Sequence, residues 1–124
     1  MSSDAPDADL VVRLAHVRPD GLSTSIQEGA LRLRYRDGFP APAMMQPGRR
    51  YAVEVDLRAI AYAIPSGHRL RLHVAGSSFP RLERNLQTGA SVNSTQTRVV
   101  VSTTTVHHDD ESQSWVELPV LPSR

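Results

Sequence analysis

The sequence predicts an all-β sandwich or barrel, and three observations carry that expectation. Apolar and polar residues alternate with period two over residues 10–17, 31–36 and 68–75, the pattern of strands buried on one face. Clusters of Gly and Pro cut the chain between these runs, at Pro19-Asp20-Gly21, over residues 37–50 and at Pro65-Ser66-Gly67. No stretch carries the spacing of an amphipathic helix. Short strands joined by such turns build a sandwich or a barrel.

Taken in order, residues 1–6 are small and polar and read as a flexible, frayed or extended end. Leu10, Val12 and Leu14 share one face of the first long strand, with Val11 and Arg13 on the other. Residues 23–26 lead into Gly29, where a bulge or kink is expected. Ser25 and Glu28 have capping-box spacing, but Gly29 follows at once and strand is the better reading. Leu31, Leu33 and Tyr35 then alternate with Arg32, Arg34 and Arg36. Residues 37–50 hold three prolines and two glycines and form a surface connection, anchored on the core by Met44 and Met45.

Residues 51–64 are the longest strand candidate. Apolar character changes sides near Arg58, which calls for a bend or bulge there. Leu70, Leu72 and Val74 point one way in the next strand, and Arg69, Arg71 and His73 the other. After it comes a charged loop, Ser77-Ser78-Phe79-Pro80-Arg81, followed by Arg84, Asn85 and Thr88-Gly89. Its apolar Phe79, Leu82 and Leu86 predict a loop folded back on the sheet, with Phe79 buried and polar contacts holding the rest. On that reading Phe79→Ala costs about 3 kcal/mol or more. Residues 98–107 are rich in β-branched side chains and residues 115–121 form a last strand cut by Pro119. Trp115 belongs to the core.

With 124 residues and 40% apolar content the chain is one domain with one core. A net charge of +1 draws neither nucleic acid nor membrane. No apolar run is long enough to span a bilayer. There is no cysteine, hence no disulfide frame and no thiolate chemistry. That composition, with no leader-like pattern in residues 1–9, favours a cytoplasmic setting.

The segment GHRLRLHVAGSSFPRLERNLQTG, residues 67–89, resembles the signature of the C-terminal β-sandwich domain of the CocE/NonD hydrolases. That family takes in cocaine esterase, α-amino-acid ester hydrolases and X-Pro dipeptidyl-peptidases. The resemblance rests on His68, Arg69, Ser77, Ser78, Phe79, Pro80, Arg81, Arg84, Asn85 and Gly89. It extends over nearly the whole chain. Asp7 and Asp9 match an Asp-x-Asp strand entry; Val17 to Gly21 match a hairpin in which His16 replaces a common Asp. Gly29 to Arg36 and Val106 to Pro119 match two further motifs. The resemblance implies a jelly-roll β-sandwich of the galactose-binding type, two antiparallel sheets packed face to face, over residues 1–124, with no cofactor and no metal. It implies a non-catalytic module that supports an α/β-hydrolase domain and its substrate cleft. Jelly rolls also serve as lectin domains, so a free-standing carbohydrate- or ligand-binding module is the alternative.

Chemistry in the chain itself is sparse. A serine hydrolase needs a nucleophile on a strained turn, a His base and an orienting acid. Gly-x-Ser-x-Gly is absent; Gly76-Ser77-Ser78 lacks the second glycine, and Ser66-Gly67-His68 is a turn. In the family the triad lies in a preceding domain, so no triad residue carries over. His107, His108, Asp109 and Asp110 offer metal-binding side chains, but consecutive residues rarely converge on one ion, and a solvated turn is the better reading. His16 and His73 stand alone in sequence. Arg32, Arg34, Arg36, Arg69 and Arg71 are expected to pair with carboxylates, here or on a neighbour, instead of binding nucleic acid.

One expectation concerns assembly. The family domain opens with an apolar strand upstream of the Asp-x-Asp motif, whereas this sequence starts at Met1-Ser2-Ser3-Asp4. A sandwich short of its first strand exposes a sheet edge. A homodimer or higher oligomer joined through that edge follows, with Ala59, Ala61 and Ala63 as a landing face.

Overall fold

The computed structural model describes residues 1–121. Among these residues five strands fall into two antiparallel sheets: β1 (Ser2–Ser3), β2 (Asp9–Val17), β3 (Ser23–Arg32), β4 (Arg69–Ala75) and β5 (Thr104–Thr105). One sheet pairs β1 with β5; the other has the order β3-β2-β4, with β2 in the middle. The architecture is all-β, as the alternating pattern predicts, and has the two antiparallel sheets of the sandwich that the resemblance implies.

Register explains which residues do what. Arg13 lies between Glu28 on β3 and His73 on β4, while Val12 lies between Gly29 and Val74. Directly paired residues share a face. One face of the large sheet therefore carries Leu10, Val12, Leu14, Leu31, Leu70, Leu72 and Val74. The opposite face carries Asp9, Arg13, Glu28, Arg32, Arg69, Arg71 and His73, with the buried Val11, Ala15 and Val17 of the central strand between them. The apolar face builds the core: Ala8, Leu10, Leu33 and Met45 are buried, with Met1, Val12, Leu31, Tyr51, Val53 and Val55 packed around them.

Several expectations change. Residues 1–6 are fixed, not loose: β1 pairs with β5, Ser3 and Ala5 are buried, and the Met1 amino group donates to the Tyr51 carbonyl at 2.8 Å. The bulge falls between Leu14 and Ala15 of β2, opposite Ile26, not at Gly29. Gly29 serves a different need, since a Cβ there would stand 2.3 Å from the Asp56 carbonyl oxygen. The strand predicted through Tyr35 ends at Arg32, and a single 3-10 turn over Leu33–Tyr35 replaces it. Asp7 is the cause, because its carboxylate takes the Arg34 backbone N–H at 3.0 Å and so turns the chain. Met45 anchors the connection after it, whereas Met44 is exposed.

Residues 51–64 form no regular strand. Their first half lies on the core, and the bend at Arg58 is real: φ is +62° there, and the Arg58 N–H bonds Asp56 Oδ1. Beyond it Ala59, Ala61 and Ala63 are exposed. Of residues 98–107 only Thr104 and Thr105 pair, and residues 115–121 do not pair at all. Trp115 is 80% exposed, not a core residue. β-branched composition supplies extended backbone, but a strand needs a partner edge.

Candidate functional site

Several signature residues, Ser78, Arg81 and Asn85 among them, converge on the polar face of the large sheet. Asp7 is fully buried and accepts from Arg34 Nε at 2.8 Å as well as from the Arg34 backbone. Arg34, itself buried, also reaches the Ala90 carbonyl. Two residues on, Asp9 holds Arg32 in a two-pronged pair at 2.8 and 3.0 Å. Asn85 ties the two aspartates together: its amide nitrogen donates to Asp7 at 2.8 Å and to Asp9 at 2.9 Å. Its own oxygen takes the Gln87 N–H, fixing the turn. Every buried side-chain N or O among the described residues is hydrogen-bonded, which a buried network of charges requires.

A second cluster sits nearer the middle of the sheet. The Glu28 carboxylate is buried and receives Arg13 Nε at 2.9 Å, Arg81 at 3.2 Å and the Ser78 hydroxyl at 3.3 Å. The hydrogen bond from Arg13 holds the Glu28 carboxyl below its ordinary value; burial opposes this, and the Arg81 and Arg13 charges and the Ser78 bond add to it. In the same way the Asp9 bond raises the Arg32 guanidinium. A carboxylate whose folded value is depressed stabilises above its unfolded value, and that contribution is lost as pH falls through the folded value. The stability of the chain is therefore expected to drop below about pH 4.5 as Glu28 protonates. Glu28→Gln is expected to be less stable than wild type at pH 7, with the gap closing towards pH 3. Thermal melts across that range check this; a gap that stays constant with pH contradicts it.

Together the two clusters pin residues 77–90 to the sheet by polar contacts, as expected. Phe79 is the exception. It is 68% exposed, so its predicted burial is wrong, and a small effect of about 0.5 kcal/mol or less is now expected for Phe79→Ala. The ions beneath the loop anchor it, and the phenyl ring is left outside. With Val11, Arg13, His73, Ser77 and Ser78, Phe79 lines an open groove of about 410 Å³. Among the other signature residues, Ser77 accepts the Phe79 N–H, Pro80 follows a cis peptide bond, and Arg84 is exposed and has no ion pair among the described residues. Gly89 has φ +75° and lies against Pro6 and Met44. Arg69 is exposed at the start of β4.

His68 joins a group that the sequence kept apart. Its Nδ1 meets His16 Nε2 at 2.5 Å, and His16 Nδ1 meets the Tyr62 hydroxyl at 2.9 Å. The register of β2 against β4 creates this pair, and no local spacing signals it. Ser2 and His107 are a second such pair, at 2.9 Å.

None of this assembles a hydrolytic centre. Ser78 bonds Glu28 and Arg13, not an imidazole. Ser2 has an imidazole, but no carboxylate bonds the His107 ring among the described residues. His107 and Asp109 are engaged separately, with Ser2 and Arg50. No group of three or more His, Asp or Glu is placed to hold a metal ion among the described residues. The arrangement locks a loop onto a sheet.

Comparison with known proteins agrees. Residues 1–117 match the family of the X-Pro dipeptidyl-peptidase C-terminal non-catalytic domain. The chain is also 31% identical over 122 residues to cocaine esterase of Rhodococcus sp. (strain MB1 Bresler), an alignment that takes in 98% of this chain and 21% of that protein. It thus spans about one fifth of the length of that curated relative. With the family's model matched over nearly its whole length, the chain belongs to the X-Pro dipeptidyl-peptidase C-terminal non-catalytic domain family.

Proposed function

We propose that this chain is the C-terminal module of a CocE/NonD-type serine hydrolase, acting on acyl esters, amides or X-Pro peptides through a catalytic α/β domain elsewhere in the protein. The module wound here as part of a jelly roll packs on that domain and helps wall its substrate cleft. The family match over residues 1–117 carries this reading. The pinned loop supports it, because its ionic anchors leave Phe79 and the open groove facing outward, a rigid surface of the kind a neighbouring domain needs.

Sequencing the gene upstream of the Met1 codon tests the reading first: an α/β-hydrolase domain in frame is expected. The hydrolase domain, expressed with and without this module, is then expected to lose thermal stability and turnover when the module is absent. Equal melting and equal turnover of the two forms would reject the supporting role. A glycan array probes the alternative of a free-standing carbohydrate binder; no saturable binding is expected.

A further inference from the structure

β4 is unusual in that all seven of its residues, Arg69–Ala75, are exposed. It pairs with β2 on one side only, so it forms an edge of the β3-β2-β4 sheet. Among the described residues no backbone hydrogen bond reaches its other side. On one face it presents Leu70, Leu72 and Val74, each more than 40% exposed. On the other it presents Arg69, Arg71 and His73. The charges on this second face do not balance. Arg32, Arg34 and Arg36 each have a carboxylate, but Arg69 and Arg71 form no ion pair among the described residues. The acids on the neighbouring strands are already engaged, Glu28 by Arg13 and Arg81 and Asp9 by Arg32, and Asp20 at the adjoining turn pairs with Arg18.

We infer that β4 is an acceptor edge for an extended strand of another polypeptide in which carboxylate and aliphatic side chains alternate. Backbone pairing supplies affinity in such strand addition, and the alternating side chains supply selectivity. Carboxylates of the incoming strand lie beside Arg69, Arg71 and His73, and its aliphatic residues continue the row of Leu70, Leu72 and Val74. Charge decides against a second copy of this chain at the same edge. Residues directly opposite share a face, so any register that keeps the leucine rows together, parallel or antiparallel, sets basic residues of one copy against basic residues of the other. Like charges directly opposite destabilise a sheet. The inference concerns the chemistry of the occupant and holds whether or not a hydrolase domain supplies it.

The test uses the full chain and two fluorescein-labelled peptides, one alternating Glu with Val and the other alternating Lys with Val. Fluorescence anisotropy is expected to show the Glu peptide binding at least tenfold tighter than the Lys peptide. Amide exchange of residues 69–75 is expected to slow when the Glu peptide is present. In the variant Arg69→Glu/Arg71→Glu, with its thermal melt checked against wild type, the preference is expected to reverse. Because a reversed preference requires a folded edge, it separates loss of charge from loss of fold. Equal binding of the two peptides, binding without slowed exchange in β4, or no binding of the Glu peptide would each overturn the inference. So would slowed exchange in β4 of the free chain accompanied by sedimentation as a dimer, which would show that a second copy takes the edge.

Discussion

Asp7→Ala is expected to be the most damaging single substitution on the polar face. The carboxylate is fully buried, and it neutralises an Arg34 guanidinium that is itself 5% exposed. Removing it leaves that cation buried without a counter-charge, and breaking a buried pair in this way costs about 3–5 kcal/mol. The Arg34 backbone N–H and one amide hydrogen of Asn85 lose their acceptor as well. The 3-10 turn at Leu33–Tyr35 and the turn at Asn85 both depend on these bonds. Urea unfolding monitored by fluorescence reads the loss directly, as a lowered midpoint or as a chain unfolded in buffer. Asp9→Ala is a useful contrast. Its arginine partner is partly exposed and can turn to water, so a smaller loss is expected. Equal effects at the two positions would mean that burial does not govern the network.

Gly29→Ala is expected to be the next most costly, for a steric reason. The added methyl would sit 2.3 Å from the Asp56 carbonyl oxygen, 3.0 Å from its carbon and 3.1 Å from Val55 Cγ1. Two of these are backbone atoms, so no side-chain rotation relieves the clash. Either β3 or residues 55–56 must move, and overpacking of this kind costs about 1–3 kcal/mol. Gly21→Ala is the control for backbone freedom. Gly21 has φ +89° with nothing within 4 Å, so only conformational strain enters there. A lowered urea midpoint for Gly29→Ala is the expected reading, and an unchanged midpoint would show that residues 51–57 do not pack on β3 as placed.

The parts of the fold that could be read from sequence are those fixed by local pattern. Period-two alternation located β2 and β4 and told which residues share a face, but not the burial: β4 is exposed on both faces, and β2, in the middle of the sheet, buries Val11, Ala15 and Val17 as well as Leu10 and Leu14. The bend at Arg58 showed in the change of apolar side, and the anchoring of residues 77–90 showed in their density of Arg and Asn. Where a partner at long range decides the outcome, pattern misleads. Residues 31–36 alternate as a strand should, yet the Asp7 carboxylate captures the Arg34 N–H and turns the chain. Phe79 looks like core by type, but the ions beneath the loop already anchor it, and the ring stays outside. The contact of His16 with His68 arises only from register. The same holds for the two-handed bond of Asn85, which joins residues 76 and 78 positions apart.

These features make one account: the motifs that resemble those of a hydrolase family build an ionic lock, and the proposed function places the chemistry in another domain of the protein. Hydrolysis by the purified chain is the most direct measure of that claim. The chain is expected to leave p-nitrophenyl esters and Ala-Pro anilides unhydrolysed above the rate in buffer. Saturable turnover, abolished by Ser78→Ala or Ser2→Ala in a chain that still melts cooperatively, would contradict it.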